Sequence, residues 1–295
     1  MHTILITGAN GFIGHYLSEL LLQRNHRVIA TGKGPCRLPF THPQFRYEPL
    51  DFEDEQQVAS LLQQYRPDVV VHGGAISKPD VCEKDREGAY RTNVTGTLHL
   101  LQQAALLQSF FLFISTDFVF SGEKETYTEE DATGPVNYYG QTKVLAEDAV
   151  KNYPFSWSIV RPILVYGAPR SGRDNILTNV AVALKRGENL SIFTDQLRTP
   201  TFVEDLVAGM VQIIERQATG IYHLSGADQL TPYQMACAAA DHLGLDSSRI
   251  RPVTADFFAQ PAKRPPRTVF DLSKAQKDLG YQATPFSEGL KRTFK

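Results

Sequence analysis

Two side chains four positions apart, Tyr139 and Lys143, could together move a proton. Residues at this spacing share one face of a helix. A free phenol has a pKa of about 10 and is a poor acid–base catalyst at neutral pH. A nearby lysine ammonium stabilises the phenolate and is expected to lower that pKa. The pair is therefore predicted to act as a general acid–base catalyst, with Tyr139 as the proton donor.

A hydroxyl group is expected beside this pair, at the end of the apolar run 110–115. Ser115 and Thr116 stand there, and either hydroxyl can hydrogen-bond a substrate oxygen. Neighbouring side chains of an extended segment alternate, so the two are expected to point in different directions. The residues alone leave open which hydroxyl is used, and whether both only cap the strand.

A glycine-rich turn follows the first apolar run and opens the first helical segment. Its glycines allow a tight turn, a close approach to a pyrophosphate, and close packing of helix on strand. The helix N-terminus adds free N–H groups and a favourable dipole. This turn predicts a dinucleotide site that includes Gly8, Asn10, Gly11, Phe12, Ile13 and Gly14.

The end of the second apolar run bears on the choice of cofactor. NAD-specific sites usually place an acidic residue here to bind the ribose 2′-hydroxyl. This chain has Thr31, Gly32 and Lys33 instead, and Lys33 or Arg37 could neutralise a 2′-phosphate. We therefore expect NADP(H) to be preferred, with NAD(H) as a usable alternative. Otherwise, Lys33 is a solvated loop residue.

These residues are positioned by alternating apolar runs and helical segments. Strands are predicted at 3–7, 27–31, 46–50, 69–72, 110–115 and 156–161. Helices are predicted at 12–24, 56–65, 88–107 and 138–153, and later at 176–185 and 230–243. Strands that alternate with helices indicate a parallel sheet with helices on both faces. The fold class is thus α/β, a doubly wound Rossmann sheet with a smaller C-terminal substrate lobe.

Residues 1–162 are expected to form the dinucleotide-binding core, and residues 163–295 mainly the substrate lobe. Part of the second half, 221–224, is expected to return and extend the sheet. The 295 residues suffice for a large core without disulfides. A net charge of -2 with interspersed charges argues against a nucleic-acid surface. Three scattered cysteines predict no metal site, and the absence of a signal peptide or a long apolar run predicts a cytoplasmic protein with no membrane partner.

The GxxGxxG spacing, together with the Tyr–Lys pair, resembles the extended short-chain dehydrogenases. The segment Ser-Thr-Asp-Phe-Val-Phe-Ser-Gly at 115–122 is similar to one in dTDP-4-dehydrorhamnose reductases, as are Asp195-Gln196 and Lys263-Arg264-Pro265. The resemblance implies reduction of the 4-keto group of a nucleotide-linked 6-deoxy sugar. It also selects Thr116 as the third catalytic residue.

Further site residues come only from this resemblance. Asp51 and Phe52 would lie beside the adenine, and the backbone of Gly74, Ala75 and Ile76 would line the cofactor ribose. Thr116, Asp117 and Leu164 would contact the nucleotide-sugar substrate. Independently of the resemblance, the guanidinium groups of Arg198, Arg264 and Arg267 could bind a nucleotide diphosphate, or they could equally be exposed or form structural ion pairs. Asn93 would kink a helix under the site or simply pack in the core.

Two departures from the family pattern bear on the substrate. Leu164 stands where the family often has a tryptophan, and it cannot offer a flat stacking surface to a sugar. Asp117 is followed by Phe118 rather than the glutamate of the related dehydratases, which argues against dehydration. The alternatives are a dehydrogenase or epimerase of another sugar nucleotide, and a non-catalytic NADP-binding regulatory subunit like that of methionine adenosyltransferase. A homodimer through the helices at 88–107 and 138–153 is expected by analogy.

Overall fold

The computed structural model describes residues 1–170, 175–257 and 260–295. Its centre is a parallel sheet of seven strands in the order β3-β2-β1-β4-β5-β6-β9. These strands are β1 (Thr3–Thr7), β2 (Arg27–Gly32), β3 (Phe45–Pro49), β4 (Val69–His72), β5 (Phe110–Ile114), β6 (Trp157–Arg161) and β9 (Gly220–His223). The predicted Rossmann-type α/β fold is confirmed.

Eleven helices in the described residues cover the sheet and build the C-terminal region. They are α1 (Phe12–Gln23), α2 (Glu55–Tyr65), α3 (Pro79–Lys84), α4 (Arg86–Tyr90), α5 (Gly96–Leu107), α6 (Tyr138–Lys151), α7 (Ile176–Lys185), α8 (Val203–Arg216), α9 (Pro232–His242), α10 (Ser273–Leu279) and α11 (Phe286–Thr293). Two small parallel pairs join β7 (Leu190–Phe193) to β10 (Ile250–Val253) and β8 (Leu197–Arg198) to β11 (Arg267–Thr268).

The strands bury both of their faces. Ile4 and Ile6 of β1 belong to the core cluster that also contains residues of α1 and α8. Leu5, between them, belongs to the opposite cluster with residues of α2 and α5. Side chains alternate across a strand, so a continuous apolar run is what two covered faces require.

The strand order reverses direction beside β1. The chain moves outward from β1 to β2 and β3, then returns to β4 on the other side of β1. In open parallel sheets, ligands bind at the carboxyl ends of the strands beside such a reversal. The glycine turn follows β1, so it lies at this position.

Several elements were not foreseen from the sequence. The helix predicted at 88–107 is divided into α4, a π-helical turn at Arg91–Thr95, and α5. Helix α8 was missed, although its buried Leu206 and Met210 pack in the same cluster as α1.

Strand β9 pairs with β6 and extends the sheet, as expected for this stretch. The division of the chain at residue 162 stays a prediction.

None of the helices in the described part of the chain combines the length and the apolar character that crossing a bilayer requires.

Candidate active site

A cavity of about 570 Å³ lies at the carboxyl edge of the sheet. Most of the residues singled out from the sequence line it. They are Gly8, Gly11, Phe12, Ile13, Gly14, Ala75, Thr116, Asp117, Tyr139, Lys143 and Leu164. Six others lie outside its lining: Asn10, Lys33, Asp51, Phe52, Gly74 and Ile76.

The glycine turn has the geometry that a pyrophosphate needs. Gly8 has a φ of +70°, which glycine adopts without strain. A Cβ on Gly14 would lie 2.6 Å from both the Ala9 Cα and the Gly8 carbonyl oxygen, so only glycine lets α1 approach β1 this closely. Gly11 begins α1 without a side-chain cap, which leaves the first N–H groups of the helix available for an anion.

Asn10 orders the loop after β2 rather than lining the cavity. Its side-chain nitrogen donates to the Pro35 carbonyl at 3.1 Å and to the Tyr47 hydroxyl at 2.8 Å. Its side-chain oxygen accepts from the backbone N–H of Arg37 at 2.9 Å. The exposed Arg37 is thereby held beside the glycine turn.

Lys33 is not a free cation. Its ammonium lies 3.0 Å from Asp51 Oδ2 and 2.8 Å from Glu53 Oε1. Glu53 also accepts from Arg91 at 3.0 Å and from Thr92 at 2.9 Å. Two carboxylates therefore compensate the charge that was expected to attract a 2′-phosphate.

The Phe52 ring packs closely against the loop after β4. A Cβ on Gly74 would lie 2.4 Å from the Phe52 ring, so the loop rests directly on this buried side chain. Asn93, in the π-helical turn, accepts from Ile76 N at 2.8 Å and donates to Ile76 O at 3.1 Å. It also donates to Thr142 Oγ1 at 3.0 Å. Asn93 thus joins this loop to α6.

Helix α6 begins just before Tyr139 and Lys143. Asn137 caps it by accepting from the backbone N–H of Gly140 at 2.9 Å. Tyr139 and Lys143 are both buried and face the cavity. The Lys143 ammonium donates to the Ile114 carbonyl at 2.8 Å and lies 3.9 Å from the centre of the Phe113 ring. The end of β5 therefore fixes this lysine.

The pKa values of the pair differ from the expectation. Burial raises the pKa of Tyr139, and the Thr116 hydroxyl only partly opposes this effect. Burial lowers the pKa of Lys143 to about 7, against the opposing charge of Glu147. The predicted lowering of the Tyr139 pKa by Lys143 is therefore wrong for this structure, because desolvation dominates. Tyr139 therefore keeps its proton at neutral pH.

Ser115 and Thr116 have different partners. The Ser115 hydroxyl donates to the buried Glu147 carboxylate at 2.6 Å. Thr116 caps the short 3-10 turn Asp117–Val119, accepting from Phe118 N at 3.3 Å and donating to Asp117 Oδ1 at 3.2 Å. Both line the cavity, but Ser115 is committed to Glu147. This favours Thr116 as the hydroxyl beside Tyr139.

The arginines near the site form structural ion pairs. Arg198 lies 3.8 Å from Asp117, and it donates to the Pro265 carbonyl at 2.6 Å. Arg264 binds Asp80 with both terminal nitrogens, at 2.8 and 2.5 Å. Burial raises the pKa of Asp117 and lowers that of Arg198. Arg267 lies in the short strand β11 and does not line the cavity.

Leu164 contributes to the cavity wall with an unusual backbone. Its φ of +37° lies in the left-handed region, which is rare for a bulky residue. Its side chain packs against two core clusters. The surface offered to a ligand is aliphatic and not planar.

Other lining residues were not assigned a site role from the sequence. They are Ser77, Pro79, Pro162, Asn175, Ile176, Gln196 and Pro232. They come from loops and helix N-termini that are far apart along the chain, so no local spacing marks them. Only the tertiary fold brings them together.

Comparison with known proteins agrees with the fold. The model of the RmlD substrate-binding domain family matches residues 1–295. Methionine adenosyltransferase 2 subunit beta of Mus musculus is 34% identical, over 98% of this chain and 86% of that protein. The spore coat polysaccharide biosynthesis protein SpsK of Bacillus subtilis is 27% identical, over 99% and 96%. The dTDP-4-dehydrorhamnose reductase of Bacillus anthracis, solved with NADP, has a TM-score of 0.87 at 28% identity and covers 99% of this chain and 98% of its own.

Proposed function

The chain belongs to the RmlD substrate-binding domain family, and from that premise we propose that it reduces the 4-keto group of a nucleotide-linked 6-deoxy sugar with NAD(P)H. The substrate proposed is dTDP-4-dehydro-L-rhamnose and the product dTDP-L-rhamnose. The observation that carries the proposal is that Thr116, Tyr139 and Lys143 line the same cavity as the glycine turn.

The residues of the turn fit a nicotinamide dinucleotide, which would supply a hydride when bound. Gly8, Gly11 and Gly14 allow the backbone and the α1 N-terminus to hold its pyrophosphate. Ala75 would line the ribose side, and Lys143 would hold the nicotinamide ribose. Four predicted residues would act indirectly, because they order or support the loops around this part of the site. They are Asp51, Phe52, Gly74 and Ile76.

The protein's own side chains would carry out the proton transfer. As hydride reaches C4 of the sugar, negative charge develops on the keto oxygen, and Tyr139 donates its phenolic proton there. The raised pKa keeps that proton in place until it is needed. Thr116 would orient the same oxygen, and Asp117 and Leu164 would shape the sugar side of the cavity.

Preference for NADP(H) over NAD(H) is also proposed. It rests on the absence of an acidic residue at the end of β2 and on the exposed Arg37 beside Asn10. Lys33 supports it less than its sequence position indicates, because Asp51 and Glu53 share its charge. We also propose that the chain divides at residue 162, forms a homodimer and is located in the cytoplasm.

The test is NADPH and NADH oxidation with the keto sugar, comparing the wild type with Tyr139→Phe. Loss of the proton donor should lower turnover by roughly 100-fold or more. The control is Tyr90→Phe, since Tyr90 is 43% exposed on α4. Wild-type protein that binds NADPH but does not oxidise it with this sugar would contradict the proposal.

A second candidate function is that of a regulatory subunit. It is favoured by the 34% identity to methionine adenosyltransferase 2 subunit beta. The chain would then bind the cofactor and a catalytic methionine adenosyltransferase. Co-elution of the two purified proteins in size-exclusion chromatography, with altered transferase kinetics, would support this function. Separate elution and unchanged kinetics would exclude it.

A further inference from the structure

His72, the last residue of β4, is a buried histidine that the proton-transfer steps do not use. Its Nδ1 lies 2.6 Å from the Thr7 hydroxyl, and its Nε2 lies 3.0 Å from the Thr97 hydroxyl. Burial lowers the pKa of His72 to about 3, so the ring is neutral at any physiological pH. A neutral imidazole has one nitrogen that donates and one that accepts, and the two ends of this ring therefore differ.

The hydrogen bonds on either side determine which nitrogen carries the proton. The Thr97 hydroxyl donates to the Asn93 carbonyl at 2.7 Å. A hydroxyl has a single hydrogen, so Thr97 must accept from His72 Nε2, and Nδ1 must accept from the Thr7 hydroxyl. The Thr7 oxygen in turn accepts from the Gly74 N–H at 3.2 Å. Every donor in this chain points the same way, from Gly74 to Asn93.

The first end of the chain holds two cofactor loops together. Thr7 and Gly73 line the cavity, and the Gly73 N–H donates to the Thr7 carbonyl at 3.3 Å. A Cβ on Gly8 would lie 2.9 Å from both the Gly73 carbonyl and the Gly74 nitrogen, so the glycine turn touches the loop after β4. By accepting the Thr7 hydrogen, His72 turns the lone pairs of that oxygen towards Gly74.

The second end of the chain reaches the helix that carries the catalytic pair. Thr97 holds the carbonyl of Asn93 in the π-helical turn Arg91–Thr95, which packs against α6. The Asn93 side chain donates to Thr142 Oγ1 at 3.0 Å, and Thr142 donates to the Tyr139 carbonyl at 2.7 Å. One series of hydrogen bonds thus runs from the loop after β4 to Tyr139.

Aromatic rings keep the imidazole in this orientation. The Phe52 ring meets it edge to face with centroids 5.1 Å apart, and the Phe113 ring lies at 5.7 Å. The Lys143 ammonium lies 3.9 Å from the centre of the same Phe113 ring. A tightly packed ring cannot rotate freely to exchange its two nitrogens.

We propose that His72 is a positioning residue whose Nε2–H tautomer ties the glycine turn and the loop after β4 to the π-helical turn that packs against α6. It contacts neither cofactor nor substrate and acts through Thr7 at one end and through Thr97 at the other. The proposal rests on the proposed function, which it deepens by naming a residue that shapes the nicotinamide site from below.

The experiment compares His72→Asn with His72→Gln. The Asn amide reaches the position of Nδ1, so it keeps the acceptor for Thr7 and loses the donor to Thr97. The longer Gln amide reaches the position of Nε2 and does the reverse. His72→Gln should raise the Kd for NADPH about tenfold, the effect of one lost hydrogen bond, whereas His72→Asn should leave it within about threefold of the wild type.

The other end should respond in the opposite way. Amide hydrogen exchange of residues 91–97 should become about tenfold faster in His72→Asn and stay at the wild-type rate in His72→Gln. The value of kcat with the keto sugar should likewise fall several-fold in His72→Asn. The matched controls are His242→Asn and His242→Gln, at an exposed position of α9, which should change none of these quantities.

Equal effects of the two His72 variants on Kd and on exchange would overturn the inference, since a ring that only fills space does not distinguish its nitrogens. Wild-type behaviour of both variants would overturn it too. If neither variant folds, Thr7→Val and Thr97→Val make the same comparison, and the first should resemble His72→Gln and the second His72→Asn. Wild-type protein that binds NADPH without reducing the keto sugar would sink the reductase proposal alone, because Kd and exchange still decide the role of His72.

Discussion

Lys143 is a buried residue whose side chain carries an ionisable ammonium group. Burial lowers its pKa from an ordinary value of 10.5 to about 7, so its ammonium is lost as pH rises through neutrality. The Ile114 carbonyl, the Phe113 ring and the more distant Glu147 charge favour the protonated form, but burial outweighs them. A lysine in this state can change charge over a small pH range, which is common in active sites.

The residue-scale prediction concerns the pH dependence of cofactor use. If the ammonium holds the cofactor, kcat/KM for NADPH, which reports the free enzyme, falls as pH rises above about 7. Lys143→Met should give low values that do not change with pH in this range, because the titrating group is gone. Lys185→Met, at the exposed end of α7, should keep the wild-type profile. A wild-type profile that stays level through neutral pH would contradict the prediction.

At the scale of elements, a buried ion pair joins α6 to β6 beneath the site. Arg161 donates to Glu147 at 2.9 and 2.6 Å, and both side chains are almost fully buried. Ser115, at the end of β5, donates to the same carboxylate. Burial, with the nearby Arg161, keeps the pKa of His223 well below its usual value, so this histidine adds no charge. The pair thus fixes the position of α6 against two strands.

Removing one partner of this pair should be costly. Glu147→Leu leaves the Arg161 guanidinium buried without its carboxylate and should lower the free energy of unfolding by about 3–5 kcal/mol. The double variant Glu147→Leu/Arg161→Met should recover most of that loss, since no unpaired charge remains. Lys151→Ala removes a half-exposed ammonium 3.9 Å from Glu147 and should cost less than about 1 kcal/mol. Urea unfolding measures all three, and a double variant as unstable as the single one would refute the argument.

At the scale of the whole molecule, the sheet could be predicted from the sequence and much of the cavity could not. Each βα unit is local, so the apolar run of β1 and the glycines after it already determine their arrangement. The cavity also needs segments such as β8 and β11, two residues each, which exist only through long-range pairing. The same holds for charge. The sequence contains Lys33, Asp51 and Glu53, but it does not show that the two carboxylates lie around the ammonium.

The C-terminal segment that contributes Arg264 to the cavity lining gives the last prediction. Arg264 donates two hydrogen bonds to Asp80 of α3, and the neighbouring Lys263 carbonyl accepts from the Asn137 side chain at 2.7 Å. Asp80→Asn should loosen this segment, because it removes the charge that holds the guanidinium by two bonds. The expected result is a several-fold higher KM for the keto sugar and faster cleavage of the segment in limited proteolysis, with NADPH affinity unchanged because the glycine turn lies elsewhere. Glu288→Gln, which breaks an exposed ion pair with Lys291, should change neither. If Asp80→Asn instead weakened NADPH and left the sugar KM at the wild-type value, the segment would serve the cofactor side of the site and not the substrate side.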